Sequence, residues 1–242
     1  MRYPQSNEQL QQLQEKNLLW RAGENKAKSV RVHASGYEEL DQALQGGWPE
    51  SGAVELQVAR YGLGELRLIL PVIQALATRR AFQVWLGVPA QLNAQSLPPE
   101  VVARSVLLSP AEEKQGYWVL EQVLTSACCS VVTAWLPGLN TAQAKRLQIL
   151  AKDSSTLLFL IVAGVKAEQS LPLSLRLSLH ASSNGLEVHV LKRQNAWPIA
   201  PFEVDFRARW PQLFPQKSVQ LTALPPDNVV HFPTPTTLKP AQ

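Results

Sequence analysis

Cysteine is nearly absent. Cys128 and Cys129 are the only two in 242 residues, and they are consecutive. Adjacent thiols inside an apolar run supply neither a disulfide scaffold nor the spaced ligand pairs of a zinc site. Histidine is also sparse, with four in the chain. His33, His180, His189 and His231 form no i, i+4 pair for a metal, and none has a cysteine nucleophile near it. No metal site is expected. Charged residues make up only 17% of the chain against 45% hydrophobic, a balance that excludes wholesale disorder. No apolar stretch reaches the ~20 residues of a membrane span, and residues 1–17 lack an apolar signal core. The expected compartment is therefore reducing and cytoplasmic, with no membrane partner.

What charge there is sits at the ends. Residues 1–32 carry six Lys/Arg against three Asp/Glu, residues 33–191 carry 11 against 13, and residues 192–242 carry six against three. The net charge of +4 is compatible with nucleic acid without demanding it. The length suits one core domain with appendages. Residues 1–31 read as an N-terminal helix and a basic linker, 32–209 as the core, and 210–242 as a flexible tail. In the first segment Leu10, Leu13, Leu19 and Trp20 form an apolar set at roughly helical spacing. That helix either docks on its own domain or grips a partner. The tail has prolines at 211, 215, 225, 226, 233, 235 and 240, too many for regular structure. It is either inert or a partner-binding peptide, for which Leu221, Leu224, Val230 and Phe232 are the candidate contacts.

Between the ends, apolar strand runs alternate with helical patterns. Strands are expected at 53–59, 82–88, 105–108, 129–136 and 157–162, and helices at 63–78, 111–127 and 141–152. Ser35 and Glu38 read as a capping box for a helix that Gly46-Gly47 stops. Continuous apolar runs separated by helices are what a parallel sheet covered on both faces requires. After residue 170 the period becomes two. Leu173, Leu175, Leu177 and Leu179 alternate with polar residues, and Leu186, Val188 and Val190 do so again beyond a Ser182–Gly185 turn. The fold class is α/β, a mostly parallel sheet flanked by helices, with antiparallel strands at the C-terminal end of the core.

The strand, glycine-rich turn and helix around residues 53–78 form the setting in which backbone amides and a helix N-terminus hold nucleotide phosphates. A working phosphate loop opens on Gly and closes on Gly-Lys-Ser/Thr. Here the corresponding positions are Ala59, Gly64, Glu65 and Leu66, with Gly62 inside the loop. A lysine ammonium ~4 Å from phosphate gains on the order of 4 kcal/mol at an effective dielectric near 20, and a carboxylate turns that gain into a loss of similar size. Leu66 has no oxygen for Mg²⁺. The strand that should end in a metal-binding acid runs Ser130 to Leu136 and ends without one. The expectation is a retired ATPase, with no catalytic residue and no cofactor.

Ser35 to Asp41, followed by Gly46 to Gly52, resembles the lead-in of RecA recombinases, and Val190 to Asn195 with Ala200 to Phe206 looks like their late strands. The combination of Leu19-Trp20-Arg21, Gly47-Trp48-Pro49, Gly64-Glu65-Leu66-Arg67-Leu68 and Leu191-Lys192-Arg193 is similar to ImuA, the RecA-like member of the bacterial translesion mutagenesis cassette. Phe82 to Leu86 and Trp135-Leu136 also resemble the SulA cell-division inhibitors. The ImuA resemblance implies a RecA-like core and an accessory role in SOS-induced translesion synthesis. It further implies binding to an ImuB-like inactive Y-family polymerase, to RecA and to an error-prone DNA polymerase. Single-stranded DNA is a further expected partner. RecA-like proteins aim basic residues of a late strand at DNA, a position matched by Lys192 and Arg193, and Arg176 is expected beside them on a polar strand face. The alternative is a SulA-like inhibitor acting on FtsZ.

Overall fold

The structure is a computed structural model and describes residues 31–77, 81–164, 170–193 and 198–214. Within these the chain runs β1 (Val32–His33), α1 (Glu38–Leu44), β2 (Trp48–Pro49), β3 (Gly52–Val58), α2 (Glu65–Ala77), β4 (Phe82–Leu86), α3 (Pro99–Val102) and β5 (Ser105–Leu108). It continues through α4 (Glu113–Thr125), β6 (Cys129–Trp135), α5 (Thr141–Asp153), β7 (Leu157–Ala163), β8 (Leu175–Ala181), β9 (Gly185–Arg193) and β10 (Phe202–Asp205). Eight strands form one sheet in the order β10-β9-β8-β3-β7-β6-β4-β5. β3 is central and parallel to both neighbours, β7 and β8. The β6–β7, β4–β6 and β4–β5 pairs are also parallel, whereas β8–β9 and β9–β10 are antiparallel. This is the architecture expected from the alternation of apolar runs.

Each strand divides its side chains between two cores, because successive residues face opposite sides of a sheet. Val54, Leu56, Phe159, Ile161 and Leu177 pack under α1, α2 and α3 with Leu40, Leu68, Ile69 and Val101. Leu158, Leu160, Val132 and Ala134 face the other way and meet Leu120 and Leu124 of α4 and Leu147 of α5. α5 has the strongest N-terminal signal. The Asn140 side chain accepts from the Gln143 amide while the Gln143 side chain accepts from the Asn140 amide.

α1 departs from its sequence signal. Tyr37 precedes its first turn and makes no side-chain cap. The Ser35 hydroxyl bonds the Tyr37 backbone instead of an N3 amide. The helix stops as expected, but the left-handed residue that stops it is Gln45, at φ 58, one position before Gly46.

Pro71 lies inside α2, where it cannot donate to the carbonyl four residues back. That orphaned acceptor is Arg67 O, and the Tyr37 hydroxyl donates to it at 2.7 Å. The Trp210 indole N–H in turn donates to the Tyr37 oxygen at 3.0 Å. Burial holds the Tyr37 phenol above its ordinary pKa, so it remains a donor. Gly36 lets the chain come this close, since a Cβ there would lie 2.8 Å from Pro71 Cβ. Tyr37→Phe should therefore cost about 1–3 kcal/mol by leaving the Arg67 carbonyl unpaired, readable as a lower urea midpoint with an unchanged m-value.

Candidate functional site

The loop between β3 and α2 has the shape of a phosphate cradle and holds an anion of its own. Gly62 and Gly64 take positive φ values, 87 and 118, conformations that glycine adopts without strain. Their amides converge on one side chain: Gly62 N–H donates to Glu65 Oε1 at 2.9 Å, and Gly64 N–H to Oε2 at 3.0 Å. Glu65 is only 3% exposed, and it is the first residue of α2, at the positive end of the helix dipole. Leu66 is partly buried and packs against the core under α1 and α2. Ala59 and Gly62 lie at the exposed rim.

The flank of the loop is covered from the far end of the chain. A Cβ on Gly64 would stand 3.0 Å from Phe206 Cε2, and the Phe206 ring lies 5.4 Å from that of Tyr37. Arg209 stacks over the same tyrosine at 5.8 Å. Residues 206–210 thus form a hasp over Gly64 and the start of α2. With the positive φ and the Phe206 contact acting together, Gly64→Ala is expected to destabilise the fold by roughly 1–3 kcal/mol, checked by its thermal midpoint.

Beside the loop, β4, β5 and β6 end around a shallow crevice of about 230 Å³ lined by Tyr61, Gly87, Pro110, Glu112, Trp135 and Leu136, among others. In open α/β sheets ligands lie at the carboxyl ends of strands, which is where this crevice sits. β6 ends there in Trp135, followed by Leu136, and contributes no acid. Among the described residues no group of three or more His, Cys, Asp or Glu could hold a metal ion, and no helix is long and apolar enough to cross a membrane.

The basic residues of the late strands do not assemble into one patch. Arg176 was expected on an exposed polar face and is instead buried at 7%. Its Nε donates to Glu55 Oε2 at 2.5 Å, across the parallel β3–β8 pair in which the two residues are in register. Gln57 Nε2 donates to the other Glu55 oxygen at 3.1 Å. The reason is that the sheet face carrying Ala53 and Glu55 is covered by α5, so the alternation in β8 opposes a buried carboxylate and not water. Lys192 and Arg193 are half-buried, and as consecutive strand residues they serve opposite faces. Lys192 Nζ donates to Leu171 O at 2.6 Å. Arg193 Nη1 donates to Ala43 O at 2.8 Å, satisfying a carbonyl in the last turn of α1, and burial lowers its pKa from the ordinary value.

No family model and no curated protein matches the chain. Among solved structures it is similar to the crystal structure of SulA from Pseudomonas aeruginosa, at 20% identity over 46% of this chain and 98% of that one, with a TM-score of 0.38. A likeness of that size carries no function across.

The candidate partner contacts Leu10, Leu13, Leu19 and Trp20 at one end, and Leu221, Leu224, Val230 and Phe232 at the other, lie outside the described residues. Sequence reasoning missed Phe206 and Tyr37 as parts of the loop's surroundings. The signal for Tyr37 was Pro71 in an otherwise helical pattern, which leaves a carbonyl that some distant donor must satisfy; no signal in the sequence pointed to Phe206.

Proposed function

We propose that this chain is a non-catalytic, RecA-like accessory protein of SOS-induced translesion DNA synthesis, an adaptor between an ImuB-like protein, RecA and an error-prone polymerase. The observation that carries the non-catalytic half is the Glu65 carboxylate bound by the amides of Gly62 and Gly64. A triphosphate would have to displace this buried, tethered carboxylate from the donors it needs, with like charge opposing it. Leu66 and the end of β6 offer Mg²⁺ no oxygen side chain, so the residues present do not fit Mg-ATP. What supports the adaptor half is the resemblance of residues 64–68, 47–49 and 191–193 to ImuA, set on a core of the expected architecture.

Isothermal calorimetry of the full chain against Mg-ATP should show no saturable heat, and tight binding would remove the non-catalytic reading. Co-purification with an ImuB-like protein and with RecA tests the adaptor. It should persist in the full chain and fail when residues 1–20 or 211–242 are removed. Sedimentation of FtsZ polymers reduced by stoichiometric protein would favour a division inhibitor instead. Direct DNA contact is a separate arm, and it now rests on Lys192 and Arg193 without Arg176. Single-stranded DNA anisotropy should show affinity that falls with salt, with a shallower salt slope in Lys192→Gln plus Arg193→Gln. An unchanged slope excludes both residues.

A further inference from the structure

Cys128 and Cys129 stand at the amino end of β6, away from the crevice at its carboxyl end, and the proposed function uses neither. In a regular strand neighbouring side chains point to opposite faces, which keeps consecutive sulfurs apart. Two local irregularities undo that separation. Ala127 leaves α4 in the left-handed region at φ 50. The β4–β6 register then slips, with Phe82 opposite Cys129 and Gln83 opposite Val131, so that Ser130 is the extra residue of a bulge. The two Sγ atoms end 3.6 Å apart, with Ser126 Oγ 3.0 Å from Cys128 Sγ. The backbone at this corner is pinned. Phe82 N–H donates to Cys128 O at 3.0 Å, and the Thr156 hydroxyl donates to Cys129 O at 3.0 Å. Cys128 is exposed and Cys129 is 4% exposed.

We propose that Cys128 and Cys129 form a preorganised dithiol site for a soft thiophilic centre that bonds both sulfurs at once, and that monosubstituted trivalent arsenicals are the class it takes. The bite fits: a sulfur separation of 3.6 Å with bonds of ~2.3 Å to the bridging atom gives an angle of about 100° at that atom. Direct closure to a disulfide fits worse. Consecutive Cα atoms stand ~3.8 Å apart, short of the ~4.4–6.8 Å that an unstrained disulfide spans. Proton balance separates an arsenical from a metal dication. Burial, reinforced by Cys128, pushes the Cys129 thiol up to about 12, so at neutral pH it carries its proton. A dication must expel that proton into water. An arsenical R–As(OH)₂ needs no such ionisation. The exposed Cys128 sulfur attacks arsenic, and the first hydroxide leaves with the thiol proton as water. Cys129 then displaces the second in the same way. Two As–O and two S–H bonds are exchanged for two As–S bonds and two waters, arsenic stays trivalent, and no oxidant takes part.

The test uses reduced full-length protein and phenylarsine oxide in the presence of excess 2-mercaptoethanol. The expected result is one phenylarsenic group per folded chain by native mass spectrometry, with both thiols lost to titration and both recovered on adding a competing dithiol. The chain has no other cysteine, so the assignment is unambiguous. Cys128→Ser and Cys129→Ser should each weaken binding roughly a hundredfold or more, because the second bond forms at high effective concentration. Wild-type affinity in either variant, removal of the adduct by the monothiol, or an adduct that forms only in denaturant would overturn the proposal. If Cys129→Ser fails to fold, Cys128→Ser, altered at an exposed side chain, decides alone.

Discussion

Replacing Arg176 by alanine should lower the stability by about 3–5 kcal/mol, because it leaves the Glu55 charge inside the sheet uncompensated, with only the Gln57 amide beside it among the described residues. The two side chains are 7% and 3% exposed as residues and meet at 2.5 Å. Replacing both at once gives a different outcome. Glu55→Met with Arg176→Met removes the charges together and should come within about 1–2 kcal/mol of the parent, since apolar substitutes for buried ion pairs are often neutral or stabilising. Urea denaturation of the parent, both single variants and the double variant completes the cycle. Additive losses would show that the pair is not coupled. A charge reversal at Arg176 would likewise abolish any DNA binding through unfolding, so such a loss says nothing about a DNA contact unless the melt is recorded beside it.

The second large effect belongs to Glu65. Glu65→Ala removes an ionic acceptor from two loop amides, a loss of about 1.5–3 kcal/mol for each bond not replaced by water. Glu65→Lys should cost more, because it sets an ammonium against N–H donors at the positive end of α2. Thermal melts should order the three proteins as parent, alanine, lysine. Combining Glu65→Lys with Leu66→Thr restores the lysine and hydroxyl of a working phosphate loop but not its opening glycine, still Ala59, and ATP turnover should stay at background. β6 still ends in Trp135 with no acid after it at Leu136, and Phe206 still packs on Gly64. Turnover by that double variant, measured as phosphate release, would contradict the account of a site disabled at three separate places.

These two predictions also mark where the sequence is legible. The strand positions were readable where both faces are buried, since doubly covered strands are near-continuous apolar runs: β7 is wholly apolar and β6 nearly so, while β3 is interrupted by Glu55 and Gln57. The exchange of Lys for Glu65 and Ser/Thr for Leu66 was readable because the loop motif has fixed spacing. The fate of the carboxylate was not, since nothing in residue order says that it folds back onto Gly62 and Gly64. Arg176 was misplaced for a related reason. The run Leu175-Arg176-Leu177-Ser178 shows only that two faces differ, and the acid that receives the arginine lies on a strand 121 residues away. Tyr37 found its acceptor through a proline 34 positions along the chain. Pattern reading captures periodicity within a segment, and these contacts depend on which segments become neighbours.

The hasp over α2 has a mechanical consequence. Trp210 holds the Tyr37 oxygen, which holds the Arg67 carbonyl, and Phe206 of the same short segment rests on the loop glycine. Tension applied to the chain through Phe214 is therefore delivered to the Tyr37 oxygen and the β3–α2 loop before it reaches β10. The first contact to yield under such a load would be the Trp210–Tyr37 hydrogen bond, with the Phe206 contact on the Glu65 loop next, which makes this corner the natural strain gauge of the domain.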